Sequence, residues 1–337
     1  MIKKRTNKIW YLLIALPIIL FLYSFTLGKY PISINDLLHT IYYHYIDPSK
    51  ILDSNMEIAL FNIRLPRIIT VLLVGSGLSI AGASYQGMFK NPLVSPDILG
   101  ASAGAGMGAA LGLYFSLSMT LVQVFAFFGS LLAVFLATII NRRMNYDPLL
   151  GLVLGGILIS TLFSSGISII KFLADSDDKL PAITFWLMGS FSSVNVKDAF
   201  SIIPPLIIAY IILFSVRWKL NVLSFGEEEA KSMGINTRQV RRLVIIAATL
   251  ITAASVSVCG MIGWIGLVIP HLGRALVGPN YKVLLPVSAL LGSSYLLIVD
   301  NIARCTWSVE LPIGILTAIL GVPFFVVIFR HNAKGWK

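Results

Sequence analysis

The residues best suited to chemistry are charged groups at the edges of long apolar runs. Arg64 and Arg67 open the run "RLPRIITVLLVG", and Arg304 ends another one. A guanidinium group recognises anions through a fixed fork of N–H donors. The three arginines therefore indicate ionic recognition at span ends. Lipid phosphates are the simplest partners, and the spacing alone names no other.

The most polar stretch, "FGEEEAKSMGINTRQVRRL" at 225–243, carries the second set of charged residues. Its glutamates at 227–229 favour the positive end of a short helix, and Gly234 suits the left-handed position that would end it. Asn236 or Thr237 can then cap a second short helix through Arg238, Arg241 and Arg242. A simple connection needs only a few residues. We therefore predict two short helices joined at a glycine, forming a docking surface for a partner.

Motifs for enzymatic chemistry are absent from the sequence. It contains no G-x-x-x-x-G-K-[ST] phosphate loop and no H-E-x-x-H metal motif. We therefore expect no ATP hydrolysis, metal or cofactor on this chain. We also expect none of the buried mid-span carboxylates that a proton-driven carrier needs.

The composition of the chain is typical of a membrane protein. Of the 337 residues, 57% are hydrophobic and only 12% are charged, with a mean hydropathy of +0.85. These values do not fit a soluble domain. The net charge of +11 is explained by basic cytoplasmic loops, without a nucleic-acid partner. We predict an all-α integral membrane protein, with one transmembrane domain over 1–337.

About 20 apolar residues per span predict ten transmembrane helices. A short apolar segment at 262–273 is counted as a span because its neighbours must keep opposite orientations. The ten predicted spans lie near 9–28, 66–89, 98–117, 119–141, 148–171, 199–216, 243–262, 262–273, 284–303 and 311–329.

The distribution of charge orients these spans. Most of the 26 basic residues fall in segments on the same side as the termini, which predicts an N-in, C-in topology. Arg64, Arg67 and Arg304 then lie outside, whereas the polar stretch at 225–243 lies inside. The segment at 176–198, between spans five and six, lies outside and is too short to cross. We predict a short amphipathic or re-entrant helix there.

A stripe of four glycines indicates close helix packing. In "LGASAGAGMGAALG" the glycines recur every four residues, at Gly100, Gly104, Gly108 and Gly112. Small residues on one helical face allow another backbone to approach closely in a membrane. The stripe predicts a tight multi-helix bundle and indicates nothing about a substrate.

Several long blocks together resemble one known family. They are "RLPRIITVLLVGSGLSIAGASYQGMFKNPLVSPDILGASAGAGMG", "FGEEEAKSMGINTRQVRR", "GMIGWIGLVIPHLGRALVGPNYKVLLPVSALLGSSYLLIVDNIAR" and "ELPIGILTAILGVPFFVVIF". In order and spacing they resemble the FecCD permeases, the membrane subunits of ATP-binding-cassette (ABC) importers for iron chelates, haem and cobalamin. The resemblance covers nearly the whole chain.

The resemblance implies a set of partners. The permease would form a dimer around a central pathway, and an identical second chain is favoured over a related one. Two ATPase subunits, which hold the ATP and Mg, would lie beneath it, and an extracytoplasmic binding protein would deliver the cargo from above. The implied location is the cytoplasmic (inner) membrane of a prokaryote.

The resemblance also implies roles for particular residues. Arg64, Arg67 and Arg304 match outer arginines that meet glutamates of the binding protein. A gate is expected around 145–151, in the loop between spans four and five. The residues that match the coupling helices, which contact the ATPase, are Gly226, Glu227, Glu228, Glu229, Ala230, Gly234, Asn236, Arg238 and Arg241.

The cargo follows only from the family. An iron-siderophore complex is the first expectation because such chelates are the commonest substrates of the family, and haem and cobalamin are the alternatives. Two other classes of function stay open at this point. One is an ion-coupled secondary carrier, which a buried carboxylate pair would favour, and the other is a membrane enzyme or scaffold without an ATPase partner.

Overall fold

The computed structural model describes residues 2–30, 32–47, 53–143 and 147–332, and every regular element within them is helical. A π-helical turn, Ala59–Arg64, joins α3 to α4, and a 3-10 turn, Pro96–Leu99, precedes α5. The helices are α1 (Ile2–Ser24), α2 (Ile34–Ile46), α3 (Ser54–Ile58), α4 (Leu65–Phe89), α5 (Ala101–Tyr114), α6 (Met119–Arg143), α7 (Pro148–Leu173), α8 (Lys179–Met188), α9 (Val196–Phe225), α10 (Glu227–Ser232), α11 (Thr237–Cys259), α12 (Ile265–Val277), α13 (Tyr281–Cys305) and α14 (Ile313–Asn332).

Helix length separates the predicted spans into two groups. Among the described residues, six helical stretches are long and apolar enough to cross a membrane: Ser54–Phe89, Met119–Arg143, Pro148–Leu173, Val196–Phe225, Thr237–Cys259 and Tyr281–Cys305. Three shorter apolar helices are Trp10–Ser24, Ile265–Val277 and Ile313–Val326. The protein is therefore a multi-pass membrane protein, while the count of ten spans and the N-in orientation stay predictions.

Two predicted spans have different bounds because glycines change the backbone direction. The span predicted at 98–117 is the 14-residue α5, which begins only after Gly100 adopts a φ of +83°. The span predicted at 262–273 combines a non-helical stretch at 260–264 with α12. Gly260 starts that stretch at a φ of +70°, where a Cβ would lie 2.3 Å from the Trp186 carbonyl oxygen. Non-helical backbone at such a depth is tolerated where protein surrounds it.

Helix α4 lies at the centre of the bundle, and glycines allow its neighbours to approach. A Cβ on Gly82 would lie 1.9 Å from the carbonyl oxygen of Gly266 in α12. A Cβ on Gly75 would lie 2.4 Å from the carbonyl oxygen of Gly292 in α13. A carbonyl oxygen lies this close at both crossings, so side chains larger than glycine do not fit there.

The antiparallel packing of α4 and α13 defines two ends of the bundle. Arg67, near the start of α4, contacts Asp300, near the end of α13. At the other end, a Cβ on Gly87 would lie 2.5 Å from the Tyr281 hydroxyl at the start of α13. The 25 residues of α13 correspond to about 37 Å. We call the end that contains Arg67 and Asp300 the arginine end. The second is the α10 end, because Asn280 there accepts a hydrogen bond from Asn221 of α9, shortly before α10.

The glycine stripe lies mainly between α5 and α6. Added Cβ atoms on Gly104 and Gly108 would lie 2.3 Å from the Gly129 oxygen and 2.1 Å from the Phe125 oxygen, respectively, and Gly112 faces Val122. The prediction of one continuous helical stripe is wrong at Gly100. This residue precedes the helix and faces Ser160 of α7 instead.

The predicted short helix between spans five and six is present as α8. It ends at Gly189, which has a φ of +75°, and a Cβ there would lie 2.5 Å from the Met261 carbonyl oxygen. The backbone N–H of Ile313 donates to the Gly189 oxygen at 2.9 Å. This contact ties α8 directly to the start of α14.

Candidate functional site

The three arginines come together at the arginine end, where two of them, Arg67 and Arg304, face one buried carboxylate. Asp300 is fully buried and lies one helical turn before Arg304 in α13. Nη2 of Arg67 is 2.8 Å from Oδ1 of Asp300, and Nε of Arg304 is 3.8 Å from Oδ2. The long helices α4 and α13 therefore share a single negative charge.

A second carboxylate completes the ion cluster. Nη1 of Arg67 donates to Oε2 of Glu310 at 2.9 Å. Glu310 precedes α14, and 28% of its side chain is exposed. Arg67 thus joins a buried acid on one side to a surface acid on the other.

Carbonyl oxygens at and after the end of α1 accept hydrogen bonds from Arg304 and Arg64. Arg304 Nη2 donates to the Ser24 carbonyl oxygen at 2.6 Å and to Asn301 Oδ1 at 2.5 Å. Arg64 donates to the carbonyl oxygens of Phe25 and Tyr30. The bond to Ser24 satisfies a carbonyl that the end of α1 leaves without a helical partner, and the bonds of Arg64 fix the segment that follows the helix.

The structure buries the three predicted docking arginines among partners of the same chain. Arg64, Arg67 and Arg304 are only 5%, 6% and 5% exposed, and each has partners inside the chain. Asp300 is a buried carboxylate near the end of α13, whereas the prediction concerned carboxylates in the middle of a span. A buried charge is tolerated when it is paired and hydrogen-bonded, and the arginines supply that pairing.

At the α10 end, the predicted first short helix is α10. It starts at Gly226, where a Cβ would lie 1.6 Å from Oε2 of Glu229, and its Ala230 is fully buried. Gly234 has a φ of +77°, and no atom of a described residue lies within 4 Å of an added Cβ. Ile235 N–H donates to the Ala230 oxygen at 2.9 Å. This bond closes the helix as expected for a left-handed C-terminal glycine.

The second predicted short helix is the first turn of the long helix α11. Asn236 caps it by accepting a hydrogen bond from Gln239 N–H at 3.0 Å. The helix then continues without a break to Cys259, because no Gly or Pro interrupts it. Any displacement of the turn that carries Arg238 and Arg241 therefore reaches the membrane part of α11 directly.

One ion pair fastens α10 to α11. Glu227 of α10 accepts a hydrogen bond from Arg241 Nη2, and its Oε1 is 3.2 Å from Thr237 Oγ1 and 3.4 Å from Lys231 Nζ. Burial acts to raise the pKa of Glu227. The hydrogen bonds and positive charges of Arg241 and Lys231 outweigh it, so the pKa lies below its usual 4.5. Glu228 and Glu229 also lie in the acidic first turn of α10. Neither forms an ion pair with another described residue.

The exposed face of α7 is uncharged over most of its length. Thr161, Ser165 and Ser168 are exposed, and each hydroxyl donates to a carbonyl oxygen of its own helix at 2.9–3.0 Å. These groups are satisfied without a ligand and present a smooth, weakly polar surface. In the predicted gate at 145–151, residues 145 and 146 lie outside the described residues. Asp147 caps α7 through Leu149 N–H at 2.8 Å.

A bundle of apolar helices, with a charged hairpin formed by α10 and the first turn of α11 at one end and an ion cluster at the other, is the architecture of a multi-pass membrane protein. The chain belongs to the FecCD transport family, which matches residues 15–331. It is a permease subunit of the ABC-importer type, like the relatives that it resembles.

Two relatives and one solved structure give the range of this similarity. The chain is 39% identical over 332 residues to the molybdate import system permease protein MolB of Haemophilus influenzae, covering 97% of each chain. It is 39% identical over 278 residues to a permease protein named for an iron chelatin transport system of Helicobacter pylori, covering 82% of this chain and 84% of the relative. A metal-chelate type ABC transporter, solved in an inward-facing conformation, matches with a TM-score of 0.87 and 37% identity, over 96% of this chain and 99% of that one.

Proposed function

We propose that the protein is the ten-span permease of an importer in the cytoplasmic membrane of a prokaryote, and that it moves an iron-siderophore complex inward. The observation that carries this proposal is the ordered charged hairpin of α10 and the first turn of α11, at the opposite end from the arginine cluster. We assign the α10 end to the cytoplasm and the arginine end to the outer face.

The hairpin is the proposed contact with the ATPase. Glu227 and Arg241 make it one rigid unit, and α11 runs from it into the bundle. Motion of a cytoplasmic ATPase would therefore be transmitted to the membrane helices without a flexible joint. Two such ATPase subunits would supply the ATP and Mg sites. The proposed contact residues are Gly226, Glu227, Glu228, Glu229, Ala230, Gly234, Asn236, Arg238 and Arg241.

A second, identical chain would cover the exposed faces of α7 and α14. Only 22% of the apolar window of α7 is buried within one chain. Its hydroxyls are already bonded to their own helix, so a pathway lined by them would hold cargo weakly. Weak binding suits a large chelate that must leave again on the other side.

The arginine end is the proposed landing site of the binding protein. Because Arg64, Arg67 and Arg304 are buried, we propose that they stabilise this surface and that Glu310 regulates it. An acid of the binding protein could replace Glu310 on Arg67 and release the segment before α14. Glu310 is the more exposed partner of Arg67, which makes this the accessible pair.

Molybdate is the second candidate cargo. The relative named for molybdate import matches the chain over a larger share of its length than the one named for an iron chelatin system. Haem and cobalamin stay family alternatives. Proteoliposomes that hold the permease, its ATPase and its binding protein would separate these cargoes. ATP-dependent uptake of a ferric siderophore is expected, whereas uptake of molybdate alone would reassign the cargo.

Replacing Gly234 tests the coupling proposal. A Gly234→Val variant must hold a β-branched residue in the left-handed region, which costs at least about 1–2 kcal/mol and deforms the hairpin. We expect ATP hydrolysis to continue while uptake per ATP falls. Gly278→Val is the control for backbone strain, because Gly278 has a φ of +80° and a ψ of −176°, which is at least as unfavourable for valine, has equally open surroundings among the described residues and lies outside the hairpin. Equal uptake per ATP in both variants would contradict the coupling role.

A further inference from the structure

A groove with basic and apolar ends runs along α6 at the α10 end. A cavity of about 1240 Å³ lies between α6, the start of α7, α10 and α11. A second cavity of about 730 Å³ continues away from it and shares Leu131 and Phe135 as walls. The walls of the second cavity contain no charged side chain. Together they form one groove.

Both long walls change from charged to apolar in the same direction. On α11 the residues at four-residue intervals are Arg238, Arg242, Ile246 and Leu250. On α6 the corresponding stripe is Arg142, Thr138, Phe135, Leu131 and Phe128. Residues three and four apart share one helical face. The groove therefore matches a molecule with an anionic head and an apolar tail.

The positive charges at the basic end of the groove are only partly neutralised by described residues. Five basic side chains line this cavity, against two acidic ones, Glu227 and Glu228. Arg142, Arg238 and Arg242 are exposed and form no ion pair with a described residue. The side chain of Arg241 is 90% buried, and its Nε has no hydrogen-bond partner among the described residues. An unsatisfied buried donor of this kind needs an acceptor.

The geometry points to a binding site for an anionic phospholipid, with its phosphate among Arg238, Arg241 and Arg242 and an acyl chain along α6. From Arg142 to Phe125, α6 rises by about 25 Å. The hydrocarbon core is about 30 Å thick, so one leaflet spans about half of that. An acyl chain within one leaflet can therefore lie along this part of α6. An inorganic anion would use the basic end and leave the apolar groove unfilled. A zwitterionic lipid would bring a cation into an already positive site. Basic pockets beside membrane helices recognise anionic head groups in this way.

Native mass spectrometry of the purified full-length permease tests this site without any ATPase. The protein is exposed to equimolar phosphatidylglycerol and phosphatidylcholine in detergent. We expect retention of phosphatidylglycerol, weakened about 30-fold in Arg238→Gln/Arg242→Gln, from roughly five-fold for each charge. The control Arg143→Gln/Lys219→Gln removes two charges from the same end but outside the groove, and its retention should stay within about two-fold.

A second variant keeps the test independent of charge and of folding. Ile246→Trp fills the apolar wall at an exposed position and should lower lipid retention without changing the charge. Equal retention in all variants, equal binding of phosphatidylcholine, or complete displacement by inorganic phosphate would each overturn the lipid assignment. Absence of any lipid on the wild-type protein would also overturn it and leave the groove to a protein neighbour. The test does not depend on the proposed cargo or ATPase contact.

Discussion

The two ends of the bundle use arginine in opposite ways. At the arginine end, three arginines are buried, and each is bonded to a carboxylate or to carbonyl oxygens at and after the end of α1. At the α10 end, Arg238 and Arg242 are exposed without ion pairs among the described residues, and one pair, Glu227 with Arg241, remains partly open to solvent. The first set is saturated by the chain itself, and the second leaves charge available.

This difference indicates different roles for the two ends. A buried, fully bonded cluster fixes the relative position of α1, α4 and α13, because breaking one pair leaves an uncompensated charge in a low-dielectric region. Exposed charges add little to the free energy of unfolding, but they can bind lipids or proteins. The comparison therefore predicts large stability effects at one end and small ones at the other.

The largest effect is expected for Asp300→Asn. It removes the charge that Arg67 and Arg304 share and leaves two buried guanidinium groups undercompensated, so we expect a loss of about 3–5 kcal/mol. Thermal unfolding of the purified permease in detergent measures it. Glu310→Gln is the control, since Glu310 is partly exposed, and its loss should be about 1 kcal/mol or less. Equal losses in the two variants would mean that burial does not distinguish the two carboxylates.

A smaller, pH-dependent effect is expected for Glu227→Gln. Because the pKa of Glu227 in the folded protein lies below its usual 4.5, the pair with Arg241 stabilises the protein above that pH. The stabilisation is lost as the pH falls through the lowered pKa. We expect Glu227→Gln to cost less than about 1 kcal/mol at pH 7 and to make the fall in unfolding temperature below pH 4.5 smaller than in the wild type. A variant that keeps the full acid transition would contradict this account.

The parts predicted correctly from the sequence follow local rules. Asn236 as a cap, Gly234 as a left-handed terminator and the acidic first turn of α10 each depend on residues within one or two turns. The same rules could have found α2, whose start carries the pattern Ser33-x-x-Asp36. Ser33 Oγ accepts a hydrogen bond from Asp36 N–H at 3.2 Å, which is half of a capping box.

The parts missed depend on contacts between distant residues. Arg67 and Asp300 are 233 positions apart, and nothing in either local pattern indicates that they meet. The sequence therefore predicted the location of the arginines at span ends but not their burial. Likewise, the sequence predicts a helix boundary at Leu243, where the polarity changes, but α11 continues through this residue without a break. A change in polarity marks a membrane boundary and needs no break in the backbone.

The smallest effect is expected for Lys231→Gln, and it sharpens the comparison within the α10 end. Lys231 contacts the same carboxylate as Arg241, but its side chain is 59% exposed and its Nζ is 3.4 Å from Glu227. A solvated pair one turn apart contributes about 0.3–0.5 kcal/mol at most, and raising the salt concentration should remove even that. Unfolding measured at low and high salt checks both points. If Lys231→Gln destabilised the protein as much as Glu227→Gln, the hairpin would depend on its exposed charge. The contrast between arginines bonded within the chain and arginines left exposed would then not explain how the α10 end is stabilised.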